Sequence, residues 1–534
     1  MCGPGPSVTS GSGNRSSSAW DWRPNDVVAQ GQTGLTSTDP SLVPLPQGRV
    51  RGRHENGISV FRGIPYAAPP FGANRFKPPQ AVRPTPGVLD AGEFAPAPPQ
   101  APRDWPHNTE VVGGENCLTL NIWTGADVKA GERLPVMVWI PGGGFMRGSA
   151  SDPVYDGAGF ARRGVVFVSL NYRLGVDGFL QLPGAPSNRG LLDQVAALAW
   201  VHANIEAFGG DPGLVTVAGS SAGAGSLACL LGVPAAQRFI RRAILQSPSV
   251  ACQTPSEASH AAEVIASMLG VAATTAGIAS ASMADTVRVV ARLAADHDLR
   301  QRHGLGARNA FPLRPCIDGE LLKALPMQAL QQAWNSPTAP PLELLVGANA
   351  EEMRFYLVPG GEIDRISMAR VQAFAEACAS GDGNEMLQAY AERLPRSTPG
   401  ELLCAMQTDY YYREPARCIA SMAQASGLQA HLYEFAWRSP MCSGHLGAAH
   451  SLELPFVFNT LDSPHAQAFA GKEAPRALAG RMQAAWVEFV RTGHVAGWPA
   501  SGDLHMRFDD APSVVETRPT PEALRWTYGD AGPA

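Results

Sequence analysis

The stretch Val215 to Ala224 carries the densest chemical signal in the chain, with apolar residues leading into Gly219-Ser220-Ser221-Ala222-Gly223 and small residues following at helical spacing. A G-x-S-x-G run between a strand and a helix is the pattern of a nucleophile elbow, in which a serine is held in a strained turn with its Oγ exposed. Tiny flanking residues let strand and helix approach closely. Of the two serines, Ser220 would need glycines where Ala218 and Ala222 stand, so Ser221 is the nucleophile by register. A serine attacking an acyl carbon also needs donors for the developing oxyanion, and removing one costs on the order of 3–4 kcal/mol of barrier lowering. Pro141-Gly142-Gly143-Gly144-Phe145 follows a strand-like run, where the second half of such a hole sits. The main-chain N–H groups of Gly143, Gly144 and Ala222 are the expected donors.

Those groups need a scaffold that brings strand ends and a helix start together. Pro135–Ile140 and Val165–Leu170 are short apolar runs suited to strands buried on both faces. From Gly190 to Phe208 the spacing turns helical, with Leu191, Val195, Leu198, Val201 and Ile205 on one stripe that stops at Gly209-Gly210-Asp211-Pro212. Leu214–Ala218 and Ala243–Gln246 read as strands, with a helix Ala222–Leu231 between them. That succession implies parallel crossovers and an α/β sheet. Leu342–Val346 and His431–Phe435 are later strands, and Pro475–Val490 is the last clear helix. An Ala-rich helical insertion is expected around 254–340. Upstream, Arg49–Ile64 alternates about Asn56-Gly57 and predicts a β-hairpin. Pro65–Pro106 is proline-dense and resists long regular elements. Residues 1–47 are polar and turn-rich and are expected to form a flexible extension.

The 534 residues carry a net charge of −5, with 45% hydrophobic and 17% charged residues, which excludes a disordered chain. No basic block points to nucleic acid. No apolar run approaches the roughly 18 residues of a membrane-spanning helix. Met1–Ser18 lacks the basic and apolar regions of a secretory signal, so the expected location is the cytoplasm. The 9 cysteines are scattered without a CxxC pair, which suits neither a disulfide framework nor a zinc site. There is no H-E-x-x-H and no P-loop, and Gly304–Asn309 fails the dinucleotide fingerprint, so no metal and no organic cofactor is expected. Composition carries no signal for oligomeric state.

Further blocks accompany the elbow: Phe61-Arg62-Gly63-Ile64-Pro65-Tyr66-Ala67, Glu115-Asn116-Cys117-Leu118-Thr119-Leu120-Asn121-Ile122-Trp123, Asn171-Tyr172-Arg173-Leu174-Gly175, and the string from Asp193 through Trp200-Val201 to Pro212. In this order they resemble the type B carboxylesterase family, which includes cholinesterases and bacterial p-nitrobenzyl esterases, from about Gly48 to Phe508. The resemblance implies an α/β-hydrolase fold: a large, mostly parallel sheet flanked by helices, with an N-terminal β-hairpin and helical cap insertions. It implies a serine hydrolase that cleaves small-molecule carboxylic esters. It places the acid in Gly347-Ala348-Asn349-Ala350-Glu351-Glu352-Met353, as Glu352, with neighbouring Glu351 as the fallback. It places the histidine in the block Gly447–Phe458, as His450; His431 and His445 sit in no matching block. It also gives Ser247 and Ser220 supporting places, Ser247 beside the acid. With these groups spread from Ser221 to His450, one site implies a single catalytic domain over 48–530.

The chain departs from the family pattern at Pro141, where a histidine is common, at Ser220, where glutamate is usual, and at Pro248 and Met353, where glycine is usual. Pro98 stands where a disulfide partner of Cys117 would lie. Substrate pockets are expected near Phe311, Phe355 and Met441. A second reading keeps the same serine, acid and histidine for a carbamate or amide. A third is a non-catalytic binding protein on the same scaffold, although such relatives usually lack one of those residues.

Overall fold

Apolar runs pair into strands, and in chain order these are β1 (Leu42–Leu45), β2 (Gly48–Arg51), β3 (Arg53–Glu55), β4 (Ile58–Pro65), β5 (Val88–Asp90), β6 (Thr119–Gly125) and β7 (Leu134–Ile140). They continue with β8 (Val166–Leu170), β9 (Gly210–Ser220), β10 (Arg242–Gln246), β11 (Glu343–Asn349), β12 (Gln429–Phe435), β13 (Leu504–Phe508) and β14 (Ser513–Glu516). This computed structural model describes residues 41–84, 87–102, 113–305, 311–500, 504–511, 513–516 and 526. An 11-stranded mixed sheet has the order β14-β13-β12-β11-β10-β9-β7-β8-β6-β4-β3, and β1, β2 and β5 form a separate small sheet.

The middle of the large sheet, from β8 through β7, β9, β10, β11 and β12 to β13, is parallel. Helices cover both faces. Along β7, Val136, Val138 and Ile140 join the core on one side with Leu191, Val195 and Leu198 of the helix Arg189–Asn204. Met137 and Trp139 point the other way, into a core with Trp486 and Phe489 of the helix Arg476–Thr492. Period-2 alternation in a strand buried on both faces makes every position apolar, which is why these strands read as continuous runs.

The hairpin turns at Asn56-Gly57, with Glu55 opposite Ile58 and both turn residues at positive φ, 50° and 80°. Its first strand starts only at Arg53. The expected start at Arg49 is corrected because β2 pairs with β1 instead. Strand β1 also lies within the segment expected to be a flexible extension, whose residues 1–40 fall outside the described residues. The insertion after β10 is helical, beginning with Pro255–Leu269 under a Thr254–Glu257 capping box. A second helical insertion, between β11 and β12, has no counterpart in the sequence reading. It includes Met368–Cys378, Gly383–Arg393, Pro399–Thr408 and Glu414–Ala425.

Register aligns the carboxyl ends of the parallel strands. Ile140 of β7 lies opposite Gly219 of β9, Ser220 opposite Gln246 of β10, and Gln246 opposite Gly347 of β11. Asn349 of β11 lies opposite Phe435 of β12. The loops leaving β7, β9, β10, β11 and β12 therefore open on one end of the sheet. The chain doubles back across β7 on its way from β8 to β9, and such reversal points form ligand crevices in open α/β sheets.

Candidate active site

Ser221 follows directly on β9 and caps the helix Ala222–Leu231, with φ 58° and ψ −122°, a backbone state rare outside glycine. Conformations of this kind cost of order 1–3 kcal/mol and persist only where the surroundings over-determine them. Here the Ser221 N–H donates to Gln246 O at 2.9 Å, and β9 and the helix approach so closely that a Cβ on Gly219 would lie 2.6 Å from Gly223 C. A Cβ on Gly223 would lie 2.1 Å from Ile140 O, so the second glycine of the elbow is sterically required. Ser221 lines a cavity of about 840 Å³ together with His450, Ser220 and the glycine loop after β7.

His450 and Glu352 are buried and meet directly, Nδ1 lying 2.5 Å from Oε2. The His450 N–H also donates to the Glu352 main-chain carbonyl at 3.0 Å, which ties the two loops together by their backbones. The other carboxylate oxygen, Oε1, accepts from Ser247 Oγ and from Asn349 N–H, each at 2.6 Å. With Nδ1 given to Glu352, Nε2 is the histidine's free nitrogen.

Glu351 does not reach His450. Its carboxylate pairs with Arg354 at 2.8 Å and Arg438 at 2.5 Å and accepts from Ala448 N–H at 2.9 Å, so it anchors the outer side of the histidine loop. His445 offers its carbonyl to Arg354. His431 is buried in β12 among Phe489, His494 and Trp498, and burial lowers its pKa. Ser220 is buried beside Ser221 and its Oγ has no partner among the described residues.

In the loop after β7, Gly143 and Gly144 take φ of 123° and 63°. A Cβ on Gly144 would come within 2.6 Å of the Phe311 ring. Neither glycine N–H, nor that of Ala222, is spent on a backbone acceptor among the described residues. Tyr172 holds the loop's base by donating from its hydroxyl to Pro141 O at 2.9 Å. Other residues of the quoted blocks are structural: Arg173 and Asp193 form a fully buried bidentate pair, with bonds of 2.8 and 2.7 Å.

Two further groups went unnoticed in sequence. Glu453, three residues after His450, is fully buried, accepting from Gln246 Nε2 at 3.0 Å and Asn349 Nδ2 at 2.7 Å. Desolvation, with the neighbouring Glu352 charge adding to it, pushes its pKa up to about 7. Tyr412 stacks on His450 from a π-helical turn, Asp409–Arg413. The signal for Glu453 was present, since an acid amid Leu452, Leu454 and Pro455 must be buried with partners. Nothing in the Tyr410-Tyr411-Tyr412 run singles out its last member. Of the expected pocket residues, Phe311 and Phe355 line the cavity and Met441 does not. Among the described residues no cluster of His, Cys, Asp or Glu could hold a metal ion, and the 8 described cysteines form no disulfide with one another.

A strained serine on a strand-to-helix elbow, in one cavity with a histidine bonded to a buried carboxylate, defines a serine hydrolase on the α/β-hydrolase fold. The model of the carboxylesterase family matches residues 39–520, and the chain belongs to that family as a carboxylic ester hydrolase. It is 35% identical over 474 residues to a para-nitrobenzyl esterase of Bacillus subtilis, covering 86% of this chain and 92% of that one. Its structure resembles a carboxylesterase of Geobacillus stearothermophilus with a TM-score of 0.79 and 31% identity, over 91% of this chain and 100% of the other. A solved PNB esterase gives a TM-score of 0.76 and 31% identity, over 89% and 97% of the two chains. No helix among the described residues is long and apolar enough to cross a membrane.

Proposed function

We propose that this esterase works through an acyl-enzyme on Ser221, within one catalytic unit spanning 48–530. The observation that carries this reading is the 2.5 Å bond from His450 Nδ1 to Glu352, which leaves Nε2 as the base in the cavity that Ser221 lines. Ser221 Oγ attacks the ester carbonyl carbon and gives its proton to His450 Nε2. The carbonyl oxygen becomes an oxyanion between the N–H groups of Gly143, Gly144 and Ala222. As the tetrahedral intermediate collapses, the C–O bond to the alcohol breaks and His450 returns the proton to the leaving oxygen. Water, deprotonated by His450, then cleaves the acyl-enzyme by the same steps. Glu352 holds the imidazole's tautomer and stabilises imidazolium, and Ser247 holds Glu352. The buried Cys117 thiol, in no disulfide among the described residues, supports a reducing, cytoplasmic setting.

The test is stoichiometric labelling by a fluorophosphonate together with turnover of 4-nitrophenyl acetate. Ser221→Ala should lose both. Labelling that persists in Ser221→Ala, or an unmodified protein that neither labels nor turns over, would overturn the assignment.

A further inference from the structure

A second cavity, of about 580 Å³, also opens on Ser221, Gly144 and Ala222, and Phe311, Tyr411 and Arg314 line it. Arg314 is 6% exposed. Its Nη1 donates to Phe311 O at 2.6 Å, its buried Nε has no partner, and no carboxylate pairs with it among the described residues. Glu257 acts on it only at long range, and burial lowers the guanidinium's pKa. The cavity's other arginines are explained by the fold. Arg300 Nη1 caps the last turn of the helix Met283–Ala295 at Leu293 O and Ala294 O, and Arg370 pairs with Glu362 at 2.6 Å. Of these three arginines, Arg314 alone has neither a counter-charge nor a helix end to cap among the described residues. Keeping such a charge out of water is unfavourable unless something anionic joins it.

Position decides which part of a substrate that is. His450 lines the larger cavity and not this one. The leaving alcohol must lie where His450 can hand it a proton, so the acyl group extends from Ser221 into the second cavity. Resting on the acyl-enzyme reading above, we infer that Arg314 receives a carboxylate at the far end of the acyl group, so that the preferred substrates are half-esters of dicarboxylic acids. The guanidinium fork matches a planar carboxylate in two parallel bonds. The apolar wall of Phe311 and Tyr411 suits the methylenes between the two carboxyl carbons. Hydrolysis releases the alcohol and the free dicarboxylate.

The experiment compares kcat/KM for 4-nitrophenyl half-esters from succinate to adipate with neutral 4-nitrophenyl esters of matched length. In the unmodified enzyme the anionic ester should be preferred at one chain length at least. Arg314→Met should lower the ratio of anionic to neutral kcat/KM at least about tenfold, the worth of a charge-assisted hydrogen bond, and Arg314→Lys should restore part of it. Fluorophosphonate labelling of each variant reports that its site is folded. Independently of any variant, glutarate should inhibit neutral-ester turnover by the unmodified enzyme competitively, and glutaramide should not. Preference for neutral esters at every length, equal inhibition by the two compounds, or an unaltered ratio in Arg314→Met would overturn the inference while labelling at Ser221 left the esterase mechanism standing. Absence of both labelling and turnover would overturn that mechanism and this inference with it.

Discussion

The Tyr412 ring lies stacked on the His450 imidazole, with centroids 4.6 Å apart and planes inclined by 30°. The Tyr356 ring is the next neighbour, at 5.6 Å, and its hydroxyl lies 3.4 Å from that of Tyr412. A π-helical turn inserts an extra residue into a helix, and here it rotates Tyr412 onto the histidine. The ring face adds packing and offers a quadrupole to the imidazolium that forms during turnover.

Tyr412→Leu should therefore lower kcat by about threefold to tenfold, since ring pairs of this kind are worth roughly 0.5–1.5 kcal/mol. Tyr412→Phe keeps the ring and should retain most of the rate. Steady-state kinetics on one neutral ester separate the two, and equal losses in both variants would show that the hydroxyl matters instead.

The two adjacent carboxylates should behave differently. Glu352→Gln leaves His450 without its acceptor and should cost on the order of 10³–10⁴-fold in kcat, as in other hydrolases whose histidine loses its acid. Glu351→Gln breaks the pairs to Arg354 and Arg438, so it should lower Tm and reduce kcat far less. Comparable kcat losses in the two variants would contradict the geometry.

Glu453 gives stability a pH dependence of definite sign. Its carboxyl has a pKa raised to about 7 in the folded protein, against about 4.3 in an unfolded chain. Between those values the folded state binds more protons, so this group's contribution to stability falls as pH rises from about 4.3 to about 7 and is flat above that range. Glu453→Gln removes the ionisation. The Tm difference, variant minus native, should be more favourable to the variant at pH 8 than at pH 5, whatever fixed cost the amide carries against Gln246 and Asn349. Thermal melts at the two pH values measure it, and a difference independent of pH would refute the assignment.

If the proposed oxyanion assignment holds, Gly144→Ala should lower kcat/KM on the order of 10²-fold, because the methyl group meets the Phe311 ring at 2.6 Å and strains a φ of 63°, displacing the assigned donor. Labelling by a fluorophosphonate should slow in parallel with ester turnover, since both form a tetrahedral centre at the same place.

Much of the fold was legible because buried parallel strands leave continuous apolar runs, and β7 to β12 fall where such runs lie. The helical insertion between β11 and β12 was not. Its helix Gly383–Arg393 buries only Gly383, Met386 and Tyr390, a short stripe among polar residues. Strand β1 was missed because Pro44 and Pro46 read as breakers, although an edge strand pairing only with β2 tolerates Pro44, and Pro46 lies in the turn beyond it.

The elbow around Ser221 was legible in sequence alone, because it is local: strand, turn and helix lie within a few residues, and their steric demands are written in the glycines at 219 and 223. The glycines of the loop after β7 are local in the same way. Tertiary structure decided that Glu352 rather than Glu351 reaches His450, that Tyr412 covers the imidazole and that Arg314 is buried without a counter-charge. His450 and Glu352 stand 98 residues apart, and their contact follows from the register of β11 with β12 and the path of the loops leaving them. Which side chain of a carboxylate pair turns inward depends on where those loops cross in space, and no periodicity along the chain encodes that.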